Sequence, residues 1–174
     1  MSALIALAVS VGVLAVLATW IFFLDPVAAA NLQVWQAFIA WGCHYHCGGK
    51  FTGTRNTVAC MSFGAVVGMA AVLLAGQLAP LGALAAPIAV GAGATIIVLS
   101  SKLPLLATIP ASVYGFASIA GLILLRDGMT PTGALLPTIL SIAIGAAFGY
   151  VSEALAGALT RKTHAPGAAA APGT

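Results

Sequence analysis

Residues 56–78 read NTVACMSFGAVVGMAAVLLAGQL, and this stretch decides the class of fold. It contains no Asp, Glu, Lys or Arg. The hydrocarbon core of a bilayer is about 30 Å thick and is spanned by roughly 20 apolar residues in a helix. Apolar residues here do not alternate with polar ones, so the run is not a strand of a membrane barrel. Lipid leaves only helices or closed barrels as spanning structures, because every backbone polar group must be paired internally.

Working outward, the same pattern recurs at about 3–24, 27–43, 80–101, 103–125 and 132–152. The run at 27–43 is the most polar, with Asn31, Gln33 and Gln36 inside it. The 174-residue chain has six Lys and Arg and three Asp and Glu, 5% charged against 61% hydrophobic. A soluble domain carries about 25% charged residues. Nine charged side chains cannot make a water-soluble surface, which excludes a soluble enzyme or nucleic-acid-binding domain. The expectation is an all-α polytopic membrane protein with six spans in one domain, 1–160. A disordered cytoplasmic tail rich in Ala, Pro and Gly follows at 161–174.

The basic residues set the orientation. With a cytoplasmic N-terminus, Lys50, Arg55, Lys102, Arg161 and Lys162 face the cytoplasm, and only Arg126, beside Asp127, faces away. This asymmetry predicts both termini inside. Ala28-Ala29-Ala30 resembles a signal-peptide cleavage site, but no Lys or Arg precedes the first run and that run is too long, so no cleavage is expected. Trp20, Trp35 and Trp41 fall near span ends, where aromatic belts form.

Five landmarks recur in order: Pro26 with Pro104 at an offset of 78, and Gly12 with Gly91 and Gly42 with Gly121 at 79. Thr52-Gly53 and Thr132-Gly133 follow at 80, and Gly64/Gly68 with Gly145/Gly149 at 81. Three spans per unit would make the halves inverted repeats, as in many transport folds. The two Gly-x-x-x-Gly pairs let helices approach closely, within one chain or between subunits.

Two segments carry candidate chemistry. In Leu103-Pro104-Leu105-Leu106-Ala107-Thr108-Ile109-Pro110-Ala111-Ser112-Val113-Tyr114, two prolines remove backbone donors. The carbonyls they free need partners from protein or from water in a cavity. Thr108, Ser112 and Tyr114 offer hydroxyls there, so Leu103, Pro104, Thr108, Pro110, Ser112 and Tyr114 are candidates for a solute path. The alternative is a kinked packing helix with Ser and Thr bonded to their own carbonyls. The second segment, Cys43-His44-Tyr45-His46-Cys47-Gly48-Gly49-Lys50, holds four soft-metal donors. Cys43 and Cys47 share a helix face, whereas His44 lies about 100° from Cys43. A closed tetrahedral site would need unwinding or a second chain. No resident metal is expected, and a reducing cytoplasmic position argues against a Cys43–Cys47 disulfide. Cys60 reads as a small apolar filler. Gly48-Gly49-Lys50 lacks the spacing and the hydroxyl of a phosphate-binding loop. No span carries a charge, and Glu153 stands only at the far end of the last. An ion-driven carrier normally keeps a carboxylate deep in the membrane.

The Trp- and Phe-containing second span running into Cys47-Gly48-Gly49-Lys50, followed by Leu103-Pro104…Pro110…Gly115-Phe116, resembles the YcdZ-type bacterial inner-membrane proteins over nearly the whole chain except the tail. That family has no assigned function, so the resemblance implies a location and a span count but no reaction. More locally, Leu103-Pro104-x-x-x-Thr108-x-Pro110 is similar to the Leu-Pro-x-x-Thr-x-Pro signature of urea transporters, with one extra residue. That likeness implies that Leu103, Thr108 and Pro110 line a slot for a neutral amide.

Taken together, the residues predict a non-enzymatic, cofactor-free protein of the bacterial inner membrane. It would form homo-oligomers through its glycine faces and pass a small neutral polar solute. The alternatives are transition-metal handling through Cys43, His44, His46 and Cys47 near Lys50, or a membrane scaffold that transports nothing. The lipid bilayer is its expected partner, and nucleic acid is not.

Overall fold

Ser2 starts the first helix: its hydroxyl accepts the Ile5 N–H at 3.3 Å, satisfying one of the donors a helix N-terminus leaves open. The computed structural model describes residues 1–162, and no strand occurs among the described residues. In chain order the helices are α1 (Ala3–Phe22), α2 (Asp25–Ala29), α3 (Val34–His46), α4 (Lys50–Gln77), α5 (Ala85–Ser100), α6 (Ile109–Leu125) and α7 (Pro131–Lys162), with 3₁₀ turns at Ala79–Leu84 and Pro104–Leu106.

α4 and α7, of 28 and 32 residues, form the centre and run antiparallel. Lys50 at the start of α4 meets Glu153 near the end of α7, while Ala65 clusters with Ala134. Each central helix has a close parallel partner. α6 lies along α4, with Cys60 opposite Leu105 and Gly68 opposite Phe116 and Ile119. α3 lies along α7, with Gln33 opposite Ser141 and His44 opposite Gly149 and Glu153.

Glycine makes these approaches possible. A Cβ on Gly64 would overlap the Ser112 carbonyl, one on Gly115 the Met61 carbonyl, and one on Gly145 the Ala37 carbonyl. In lipid, where burial of apolar surface no longer drives helix association, such close backbone packing supplies the attraction. Gly64, Gly68, Gly145 and Gly149 are all buried inside the chain. Their faces are therefore occupied and are not free to hold a second subunit, as the sequence alone had allowed.

α1 and α5 are peripheral. α1 buries only Ala6, Ser10, Leu14, Ala18 and Phe22, and α5 only Ala85, Ala89, Gly93 and Ile97. Both sets recur every four residues, the ridge by which one helix seats in the groove of another. The remaining faces are apolar and exposed, with Leu4, Val13, Val16, Val90, Val98 and Leu99 among them.

Four helical stretches are long and apolar enough to cross a bilayer: Ala3–Phe22, Lys50–Gln77, Ala79–Ser100 and Pro131–Thr160. α6 is apolar but has 17 residues, and α3 has 13. At 1.5 Å per residue these rise roughly 25 and 20 Å.

Several helix bounds differ from the apolar runs, each for a local reason. The run at 27–43 is split: α2 ends at Ala29, Asn31 takes the left-handed conformation at φ 60°, and α3 begins only at Val34. The run at 103–125 is likewise broken. Pro104 opens a 3₁₀ turn and Pro110 sits in the first turn of α6, which makes Thr108 the residue preceding that helix. Proline has no N–H to give a preceding turn, so each one restarts the chain. α4 begins six residues before its apolar run, immediately after the Gly48–Gly49 turn (φ 92° and 69°). α7 continues through Pro137 and past Ser152 to Lys162. Arg161 and Lys162, expected in the tail, are thus helical, and the rest of that expected segment, 163–174, lies outside the described residues.

Candidate functional site

The second span's polar residues resolve first. Gln36, on α3, is fully buried, and its Nε2 donates to the Ser118 carbonyl at 2.9 Å and to Thr138 Oγ1 at 3.2 Å. One glutamine therefore ties α3 to both α6 and α7. Ser118 and Thr138 are also fully buried. The Gln36 Oε1 and the Ser118 hydroxyl find no hydrogen-bond partner among the described residues, and neither does the hydroxyl of Thr57, on α4. A buried polar group left unpaired costs about 1–3 kcal/mol, more than a formed bond returns.

Between these polar levels lies an apolar one. Thr57 and Met61 are one turn apart on α4, as are Thr138 and Ile142 on α7. Met61 and Ile142 are fully buried and share one cluster with Ala40, Cys43, Cys60 and Ala111. Because α4 and α7 are antiparallel, Thr57 lies to one side of the Met61–Ile142 layer and the Gln36–Ser118–Thr138 group to the other. The seam is thus polar, apolar and polar along the bundle, with no charged side chain in it.

The six residues first placed on a solute path do not converge. Leu103, Pro104 and Pro110 are exposed on the outside of the bundle, and Thr108 is half-buried at the start of α6 without a capping bond. Ser112 is buried, but its carbonyl faces the backbone at Gly64. Tyr114 leans toward α3, its ring edge-on to His46 at 5.9 Å. The reason is the restart at Pro110, which turns the proline-rich stretch into a surface connection instead of the interior of a helix.

The Cys/His cluster also divides. The Cys43 and Cys47 sulfurs lie 3.8 Å apart as free thiols. His46 is exposed and turns to Tyr114. His44 is fully buried and points the other way, with Nε2 3.0 Å from Glu153 Oε2 and Nδ1 3.1 Å from Thr54 Oγ1. With Glu153 ionised, Nε2–H is the donor and Nδ1 accepts the Thr54 hydroxyl. The four soft donors are thus split between opposite sides of α3, and no group of three or more metal-type side chains assembles among the described residues.

Glu153 is the residue whose role the sequence hid. Its Oε2 also accepts the Lys50 N–H at 2.6 Å, capping the first turn of α4 from α7. Its rarity was the available signal: it is one of three acidic residues in the chain. Nearby, Ser152 joins three helices by accepting the Trp41 indole N–H at 2.9 Å, lying 2.6 Å from the Tyr45 hydroxyl, and offering its carbonyl to the Ser10 hydroxyl at 2.7 Å.

No curated protein matches the chain, and no solved structure does. A family profile does, over most of the helical bundle. With residues 8–157 matched, the chain belongs to DUF1097, a family of proteins of unknown function whose apolar helices are, in this member, compatible with a membrane protein.

Proposed function

We propose that this is a six-crossing bacterial inner-membrane protein, built from two inverted three-helix halves, that passes a small neutral polar solute down its uncharged central seam. The carrying observation is three of the four buried side-chain polar atoms that lack partners among the described residues, Gln36 Oε1, Ser118 Oγ and Thr57 Oγ1, the fourth being Ser62 Oγ. A hydrogen-bonding guest, water or solute, would satisfy them. The Met61–Ile142 layer is then the closed constriction, of the kind that gates by excluding water. Methionine's unbranched chain lets such a layer open by rotamer change.

Support for the inverted halves comes from which residues do equivalent work. At the offset of 81, Gly64 and Gly145 each receive a carbonyl of the parallel partner helix, Ser112 and Ala37. The same offset relates Thr57 to Thr138 and Met61 to Ile142, all fully buried. Gly12 and Gly91 both have open space around them on the peripheral helices. Pro26 and Pro104 both start a short helical turn after such a helix. Six crossings require α3 and α6 to span together with the irregular residues before them. Irregular backbone is tolerated at membrane depth where protein satisfies it, and the Gln33 N–H is so satisfied, by Ser141 Oγ at 3.0 Å.

The slot implied by the urea-transporter-like spacing draws no support from Leu103 and Pro110, which are exposed. The neutral-solute reading therefore rests on the seam. Its test is stopped-flow light scattering on proteoliposomes challenged with urea, acetamide and glycerol. The expected result is faster equilibration than in protein-free vesicles for at least one of them. Equal rates for all three would reject transport and leave a scaffold.

The topology is tested separately. The α3–α4 turn with Lys50 and the end of α7 meet at one end of the bundle, and the connection carrying Lys102 leads to Leu105, level with Cys60 in the same half. This basic end is cytoplasmic in our reading. A phosphatase that folds only in the periplasm, fused after Thr174, is expected to be silent. An active fusion would reverse the assignment.

A further inference from the structure

Two of the four soft donors at the end of α3 remain paired. Cys47 follows Cys43 by one helical turn, its N–H on the Cys43 carbonyl at 2.8 Å, and the two free thiols meet at 3.8 Å. Cys43 is buried in the cluster with Cys60, Met61 and Ala111, and half-buried Cys47 packs against it. α3, α4 and α6 contain no Asp or Glu, and Glu153 is held by His44 on the other side of α3. The sulfurs are therefore placed among apolar groups, without a hard oxygen ligand beside them. A cavity of about 360 Å³ between α3 and α6 reaches Cys43 and carries the exposed His46 at its rim.

We infer that Cys43 and Cys47 bind one soft monovalent metal ion, of the copper(I) class, between their sulfurs. Metal–thiolate bonds of about 2.3 Å let a bridging ion hold two sulfurs anywhere up to about 4.6 Å apart, so 3.8 Å needs little or no movement. A disulfide of about 2.05 Å would instead draw them together by about 1.7 Å across an intact helical turn. Thiolates select soft ions such as copper(I). Zinc almost always takes four ligands in a structural site, and no third metal-type side chain joins this pair among the described residues. On binding, each thiol gives up its proton to water, and the bis-thiolate unit keeps one negative charge. Half-buried Cys47 leaves that charge within reach of solvent and makes its sulfur the first to meet the ion.

The test loads the full chain, reduced and in detergent under anaerobic conditions, with one equivalent of copper(I). A chelator wash, gel filtration and elemental analysis then give the copper retained per chain. Wild type should keep about one copper, and Cys43→Ser and Cys47→Ser should each lose nearly all of it. Cys60→Ser should keep it, because that thiol is already engaged with the Leu105 carbonyl at 3.3 Å. Silver(I) should behave as copper does, and zinc(II) should wash out. Circular dichroism confirms that each variant is folded, and half-buried Cys47→Ser carries the test if Cys43→Ser does not fold. Wild-type retention no greater than that of folded Cys47→Ser would overturn the proposal. So would zinc held as firmly as copper, or a loss in Cys60→Ser equal to that in Cys47→Ser. None of these readouts depends on solute passage, so the thiol pair and the seam stand or fall separately.

Discussion

Gly64→Ala and Gly145→Ala are each expected to destabilise the protein, and Gly12→Ala and Gly91→Ala are not. At Gly64 the new methyl would overlap the Ser112 carbonyl, and at Gly145 the Ala37 carbonyl. Backbone cannot rotate aside as a side chain can, so α4 must separate from α6, or α7 from α3. Overpacking of this kind costs about 1–3 kcal/mol and occasionally more. The upper end corresponds to roughly 6–12 °C in Tm for a chain of this size. At Gly12 and Gly91 nothing lies within 4 Å. There alanine brings only its better helix propensity, about 1 kcal/mol over glycine. The sign of the effect therefore changes with position. Thermal unfolding in detergent, followed by far-ultraviolet circular dichroism, reads it directly. Equal Tm values for Gly64→Ala and Gly12→Ala would show that the α4–α6 approach is looser than described. A large loss at Gly64 without a comparable one at Gly145 would break the equivalence of the two halves.

Gln36→Leu is expected to cut solute flux far more than it lowers stability. Leucine is close to glutamine in volume, so the seam stays filled. The amide's two bonds, to the Ser118 carbonyl and Thr138 Oγ1, are lost. So is an Oε1 that had no partner, which removes one unpaired buried group. These changes largely offset one another in the resting protein. A solute passing the seam loses its hydrogen bond to the Gln36 amide. At about 1–3 kcal/mol that is roughly a five- to 150-fold slower flux. Thr108→Val should leave flux unchanged, because Thr108 is half-buried at the edge of the bundle. Stopped-flow scattering with wild type, Gln36→Leu and Thr108→Val in matched vesicles separates the two locations. If Thr108→Val slows passage and Gln36→Leu does not, the route lies along the proline-rich connection and the central seam is only packing.

Much of the architecture was legible in the chain because lipid imposes one dominant rule. Uncharged runs of about 20 residues must be helical, and α1, α4, α5 and α7 follow from that alone. The break before α6 was written in Pro104 and Pro110, whose two missing N–H groups, six residues apart, interrupt the hydrogen-bond ladder at the entry to that helix. Gly64/Gly68 and Gly145/Gly149 announced close packing, because only a side chain without a Cβ lets backbones touch. The side of His44 could be read as well: 100° per residue sends it away from Cys43 in any helix.

Tertiary structure alone decided which partners those features would meet. Helical periodicity says that Gly64 lies on one face, but not that the facing carbonyl belongs to Ser112. Thr57, Ser118 and Thr138 look like ordinary hydroxyls in apolar runs until antiparallel packing of α4 and α7 sets them on either side of Met61 and Ile142. Glu153 reads as a charge at the end of a span until α7 brings it to the first turn of α4 and to His44, residues more than a hundred positions away. Local sequence governs backbone hydrogen bonding, and so the presence and ends of helices. Which buried polar atoms find partners depends on contacts between distant segments, and in this protein the candidate site consists of those atoms.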